Sequence, residues 1–281
     1  VGHYQIGSIA VRILAFGVNC LPDNFWEQRI AEAYRLRQNL GLVSPHNNTY
    51  RLIHGEGDFL PGLVVDIYHD TAVIQAHSVG MHLCRQQVAD AIVRHIKQVK
   101  NVYYKSDDTL PFKAPVQGDK TGYLIGQACE DEFWATENGL QFRIDWLKGQ
   151  KTGFFIDQRE NRALLEHYAH GRNVLNMFCY TGGFSVYALR GGAKVVHSVD
   201  VSQKAVDLVR ENVAHNFPND TRHEAFTQEA FDFMANMQTK YDLIILDPPA
   251  FTKSGATVRS AYRGYREINR RAMQLLPRGG Y

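Results

Sequence analysis

The sequence predicts a doubly wound α/β domain preceded by a smaller α+β unit, and three observations carry that expectation. From residue 149 onward short apolar strands alternate with segments of helical periodicity, the pattern of a mostly parallel sheet covered by helices on both faces. Residues 46–147 instead string hairpin-like runs around a single helix. Within the later half, one apolar strand runs into a Gly-Gly pair that opens a helix, and the next ends in an acidic residue.

The elements follow in chain order. Residues 6–14 alternate as a strand, and residues 24–40 as a helix capped by Asp23, with Trp26, Ile30, Ala33 and Leu40 on its apolar side and Gly41 at its stop. Residues 50–78 read as a β-hairpin with His69-Asp70 in the turn. Residues 81–98 read as a helix whose Cys84, Val88, Ala91, Ile92 and Ile96 recur at helical spacing, which makes Cys84 a core thiol. "NVYYKSD" is a strand, residues 107–122 a loop, and "EFWATENGLQFRIDWL" a hairpin turning at Asn138-Gly139, the strongest short-range turn signal. The second half reads as strand 173–179, helix 183–190, strand 194–200, helix 203–215, a short strand near 222–227, strand 241–247 and helix 258–276.

Composition narrows the function classes. The chain has 281 residues, 44% hydrophobic and 21% charged, with net charge +2. That is ordinary for a globular protein of about two domains and leaves any nucleic-acid surface to be local. The sequence holds neither an apolar run long enough to span a bilayer nor a signal peptide. Cys20, Cys84, Cys129 and Cys179 are scattered without a CxxC pair, which argues against a disulfide framework and a zinc site and fits a reducing cytoplasm. The opening at Val1 and the closing "LLPRGGY", a turn that ordinarily feeds another strand, suggest a fragment of a longer protein.

In a doubly wound sheet the ligand sits beyond the carboxyl ends of the strands. There "NVLNMFC" leads into Tyr180-Thr181-Gly182-Gly183, whose glycines admit a close approach of backbone and whose helix start offers free N–H groups. Asp200 ends the second strand, placed to accept both hydroxyls of a ribose. This much suits a nicotinamide dinucleotide or S-adenosyl-L-methionine (AdoMet) equally. The loop lacks the third glycine of a pyrophosphate cradle. "YDLIILDPPAF" then ends in Asp247-Pro248-Pro249, two prolines that hold the chain extended beyond the strand, with Phe251 near enough to stack on a planar substrate.

Five segments, "KTGFFIDQRENR" (151–162), "NMFCYTGGFSVYALRGGA" (176–193), "SVDVSQKAVDLVRENVAHN" (198–216), "ILDPPAFTKS" and "YRGYREINRRAMQLL", together resemble the bacterial 23S rRNA cytosine-C5 methyltransferases that carry a PUA domain. The resemblance covers nearly the whole chain. It implies a Rossmann-like AdoMet methyltransferase domain at 148–281, a central α+β domain at 46–147, a linker helix within 15–45, and residues 1–14 as the last strand of the PUA domain. It also implies site residues. Thr152, Phe155 and Gln158 would close over AdoMet; Asn176, Tyr180, Thr181 and Gly182 would surround its methionine part; Asp200 would hold the ribose; Glu229 would meet the adenine amino group, although Gln228-Glu229 replaces the Gly-Asp usual in the family. Asp247, with Pro248, would lie beside the methyl donor and hold the N3–N4 edge of the base.

Cytosine C5 is a poor nucleophile until a thiolate adds to C6. The resemblance places that cysteine in a Ser-Cys-Ser segment beyond Tyr281. RNA contacts are expected from Arg159, Arg162 and Phe251, together with Lys151 as a candidate charge, and from Arg259, Arg263, Arg266 and Arg270, whose spacing aligns four guanidiniums on one helix face opposite Tyr265, Ile268, Ala272 and Leu275. The expected partner is 23S ribosomal RNA, with no membrane and no metal; a homodimer stays open. Three other functions compete: a guanine-N7 rRNA methyltransferase, a nicotinamide-dependent oxidoreductase, and a non-catalytic RNA-binding factor.

Overall fold

The computed structural model describes residues 1–7, 9–111, 118–129, 133–237, 239–252 and 257–281. Part of the loop expected at 107–122, the first residue of the hairpin expected from 132, and the end of the "ILDPPAFTKS" segment lie outside these. The chain folds as two compact units, Val1–Ile156 and Asp157–Tyr281, so the division falls after "KTGFFI" rather than near residue 148. No helix of the described residues is long and apolar enough to cross a membrane.

The first unit opens with a two-stranded antiparallel ribbon, β1 (Gly2–Tyr4) and β2 (Val11–Ile13). The single strand expected at 6–14 is therefore corrected: its first half turns back, because residues 2–4 pair with 11–13. Helix α1 (Phe25–Asn39) starts at Asn24 without a side-chain cap, not at Asp23. Its buried face is Phe25, Ile30, Ala33 and Arg37, while Leu40 is exposed. Arg37 can be buried because its guanidinium forms a two-pronged pair with Asp58.

The hairpin expected at 50–78 is a three-stranded meander, β3 (Thr49–His54), β4 (Leu63–Tyr68) and β5 (Thr71–Ala76). His69 takes the positive φ of the β4–β5 turn. Helix α2 (Val79–Leu83) and helix α3 (Arg85–His95) divide at Cys84, which caps both, so the helix expected over 81–98 is interrupted and Cys84 is only partly buried. Strands β6 (Asn101–Lys105) and β7 (Thr121–Ile125) complete a mixed sheet in the order β3-β4-β5-β6-β7. A separate hairpin, β8 (Trp134–Glu137) and β9 (Leu140–Arg143), turns at Asn138 and Gly139, both at positive φ as a two-residue turn of this kind requires. Side chains of α1, α3 and the sheet, Ile30, Leu52, Val65, Ile74 and Ile92 among them, form the core.

The second unit is the doubly wound domain. Helix α4 (Arg159–Ala169) leads into β10 (Asn173–Met177), α5 (Gly183–Arg190), β11 (Val195–Asp200), α6 (Gln203–Asn216), β12 (His223–Thr227), α7 (Ala230–Asn236), β13 (Leu243–Leu246) and α8 (Val258–Leu275). The strands are all parallel, in the order β12-β11-β10-β13. Alternation along the strands divides the faces. Leu175, Met177 and Val199 join Phe233, Met234 and Ile268 in the core under α7 and α8. Asn176 and Ser198, paired in register on the other face, turn towards α5. Periodicity failed to find α4 because its buried face, Arg159, Arg162, Leu165 and Ala169, is half arginine. It missed α7 because that helix is only seven residues long.

Candidate active site

The site is built where β10 and β11 end. Beyond Met177 the chain makes a tight loop in which Phe178, Tyr180 and Gly182 have φ of 57°, 48° and 78°. The left-handed region costs a non-glycine residue about 1–2 kcal/mol, so this loop persists only because it is tied down. Cys179 N–H donates to Val199 O at 3.1 Å, Gly182 N–H to Cys179 O at 2.8 Å, and Asn212 Nδ2 to Thr181 O at 2.8 Å. Gly182 caps α5, and a Cβ there would lie 2.8 Å from Val209 Cγ1. Only glycine meets both the sign of φ and the space.

Asp200 is the organiser. Its Oδ2 accepts from Tyr180 N–H at 3.0 Å and its Oδ1 from Ser202 N–H at 2.9 Å, so the carboxylate joins the loop after β10 to the turn after β11. A carboxylate oxygen accepts more than one hydrogen bond, which leaves capacity for hydroxyl donors. The strand-end carboxylate thus has a structural duty that sequence spacing did not show. Nearby, Gln228 N–H donates to Asp200 O at 3.0 Å. Glu229 uses Oε2 to cap α7, accepting from Phe231 N–H at 2.7 Å and Asp232 N–H at 3.2 Å. Any ligand contact by Glu229 would be shared with that cap.

Asp247 stands exposed just past β13. Desolvation by its immediate neighbours, and then the charge of Asp157, hold its carboxyl above the usual carboxylate range. Sequence reasoning passed over Asp157, since "FIDQ" carries no charge pattern that singles it out. Phe251 is half-buried and engaged: its ring lies 4.4 Å from that of Tyr265, and its N–H donates to Tyr265 Oη at 3.3 Å. The same contact draws Tyr265 away from the buried side of α8, leaving it 37% exposed. Ala261, Ile268 and Ala272 form that side instead.

Other expected residues divide sharply. Arg259, Arg263, Arg266 and Arg270 are all exposed on α8, with Arg270 paired to Glu267. Arg159 and Arg162, expected to meet RNA, are buried, 7% and 3% exposed. The stem of Arg162 fills the space beside Gly183, where a Cβ would come within 3.0 Å of Cδ, so α4 packs on the start of α5 through an arginine. In the first unit Lys151 is exposed, whereas Thr152 is buried and donates to Asp66 Oδ2 at 2.6 Å and shares a hydrogen bond with Tyr68 Oη at 2.8 Å. Phe155 is half-buried there. Gln158 accepts from Asn161 Nδ2 at 2.8 Å. Asn176 is 1% exposed, its amide given to Ser185. Cys179 is buried, and burial followed by the charge of Asp200 pushes its thiol far up, which denies it thiolate character.

The family model for S-adenosylmethionine-dependent methyltransferases matches residues 115–281. Ribosomal RNA large subunit methyltransferase I from Tolumonas auensis is 38% identical over 260 residues, covering 91% of this chain and 65% of that protein. The protein of the same name from Aeromonas hydrophila is 38% identical over 278 residues, covering 97% and 69%. This chain therefore spans about two thirds of the length of these relatives. Among solved structures, SMU.776, a protein assigned as a methyltransferase and complexed with SAH, superposes with a TM-score of 0.81 at 26% identity, over 95% of this chain and 68% of that one. With a family match over more than half its length and relatives this similar along nearly all of it, the chain belongs to the S-adenosylmethionine-dependent methyltransferases, in the group of ribosomal RNA large subunit methyltransferase I.

Proposed function

We propose that the second unit binds AdoMet at the Tyr180–Gly183 loop and Asp200, and that the protein of which this chain is part methylates large-subunit ribosomal RNA at C5 of a cytosine. The observation that carries the cofactor assignment is the Asp200 carboxylate, fixed by two backbone N–H groups at the end of β11 and still able to accept ribose hydroxyls. The relatives' names supply the RNA. When bound, AdoMet offers an electrophilic methyl group on a sulfonium.

The chain's own residues have these parts in the proposal. Asp247, its carboxyl held above the usual range by desolvation and then by Asp157, meets the N3–N4 edge of the base and stabilises the charge that develops there as a thiolate adds to C6. That addition forms a C–S bond and makes C5 electron-rich enough to take the methyl group. Loss of the C5 proton to a base then expels the thiolate. Cys179 is not that thiolate, because burial keeps it protonated. Pro248 and Pro249 restrict the backbone beyond Asp247. The exposed arginines of α8 meet phosphates and position the RNA without reading its sequence.

The test is incubation of the gene's full product with labelled AdoMet and unmodified 23S rRNA, followed by digestion to nucleosides. Label in 5-methylcytidine is expected, and it should persist in Cys179→Ala. Label in 7-methylguanosine would overturn the cytosine assignment, and no label in RNA would overturn the substrate.

A further inference from the structure

Three buried polar side chains and the half-buried His223 form a line across the second unit where hydrophobic packing would otherwise be expected. Asn176 Nδ2 lies 2.9 Å from Ser185 Oγ, Ser185 Oγ 2.6 Å from Ser198 Oγ, and Ser198 Oγ 2.8 Å from His223 Nε2. Ser185 and Ser198 are 0% exposed. The chain of hydrogen bonds runs from β10 through the first turn of α5 to β11 and on to β12. It also brackets the site: Asn176 stands just before the strained loop, Ser185 just after it, and Ser198 two residues before Asp200.

The protons have one fully satisfied order. Asn176 Nδ2 can only donate. Ser185 therefore accepts there and gives its own proton to Ser198. Ser198 gives its proton to His223 Nε2, which must be bare, with the imidazole neutral and its proton on Nδ1. The reverse polarity would require Asn176 to turn its amide over and present its carbonyl to Ser185. Burial, then the charges of His197 on β11 and Arg210 on α6, hold His223 down to about 4 against the opposing pull of Asp220, so it is neutral at ordinary pH.

We infer that Ser185, Ser198 and His223 are positioning residues for AdoMet binding, holding Asn176 and the two strand ends in the register that lets Tyr180 N–H meet Asp200. This rests on the cofactor assignment above. A network of this kind is retained at a cost in core packing, since polar groups in low dielectric stabilise only when every member is satisfied. Its disruption should therefore lower cofactor affinity and stability together, because each broken link leaves a buried neighbour without its partner.

The experiment measures AdoMet affinity by calorimetry and thermal stability in the 281-residue chain, with Asp200→Ala as reference. Ser198→Ala and His223→Phe should each weaken AdoMet about tenfold, the equivalent of one buried hydrogen bond, with the melting temperature of Ser198→Ala lowered because the Ser185 hydroxyl is left without its acceptor. His223→Gln, which can restore an acceptor at that place, should stay within about threefold of the unsubstituted chain. Nitrogen-15 NMR should show His223 as the Nδ1–H tautomer, a preference lost in Ser198→Ala even if His223→Phe fails to fold. Unchanged affinity in Ser198→Ala while Asp200→Ala is weakened, or an Nε2–H tautomer, overturns the positioning role. No AdoMet binding by the unsubstituted chain overturns the cofactor assignment and this role with it.

Discussion

Removing the Asp200 carboxylate should act twice, once on the ligand and once on the loop. In Asp200→Ala the acceptor proposed for the ribose hydroxyls is lost. Hydrogen bonds to a charged group are worth about 1.5–3 kcal/mol, so AdoMet affinity should fall roughly ten- to a hundredfold. The same change releases Tyr180 N–H and Ser202 N–H, which the carboxylate holds at 3.0 and 2.9 Å. Asp200 is half-exposed, so water can replace part of that loss and the cost to stability should sit near the lower end, about 1.5 kcal/mol. Relief of the positive φ at Phe178 and Tyr180 offsets some of it, since each such residue stores about 1–2 kcal/mol. The net shift in melting temperature should be no more than about 5 °C for a unit of this size. Asp200→Asn keeps one acceptor oxygen but turns an NH2 towards a backbone donor, and should resemble Asp200→Ala in AdoMet affinity. Calorimetry with AdoMet and thermal melts of the three proteins give both quantities. Wild-type AdoMet affinity in Asp200→Ala would refute the reasoning.

Three further outcomes follow from the same geometry. Gly182→Ala places a Cβ 2.8 Å from Val209 at φ 78° and should destabilise the second unit by about 2 kcal/mol or more; a melt equal to the unsubstituted chain would contradict it. Replacing Arg263 and Arg266 by Ala should leave AdoMet affinity intact and reduce the slope of log affinity for RNA against log salt by about 0.7–0.9 for each phosphate that is no longer neutralised; an unaltered slope returns the α8 stripe to a solvated face. Because His223 titrates at about 4 in the fold against 6.5 when unperturbed, the unfolded chain binds its proton first. Stability is complete above about pH 6.5 and is lost as pH falls towards 4, by at most about 2 kcal/mol at pH 5. Urea melts of the unsubstituted chain and His223→Gln at pH 7.5 and 5 should show the difference, and equal pH dependence in the two would exclude His223 as its source.

Much of the second unit was legible because its strands are short and apolar and its site uses residues with narrow conformational meaning. Gly182, Asp200 and the double proline at 248–249 can be recognised without coordinates, since each restricts backbone or charge in a way few folds use. The Asn138-Gly139 turn was legible for the same reason. What escaped was whatever depends on partners distant in sequence. Arg159 and Arg162 read as RNA-contacting charges, since a sequence cannot show that α4 buries both and lays the stem of Arg162 against the start of α5. Residues 6–14 read as one strand because alternation is blind to the reversal that pairs residues 2–4 with 11–13. Thr152 and Phe251 carry the right chemistry to meet a ligand, yet the fold commits one to Asp66 and the other to Tyr265. Sequence by itself determined the parallel architecture, the glycine loop after β10 and the acid at the end of β11, because those follow from local backbone rules and short spacings. Only the tertiary structure decided which polar side chains are spent inside the protein, because a hydrogen bond across strands or helices depends on distance in space and burial, and neither is written in the local pattern.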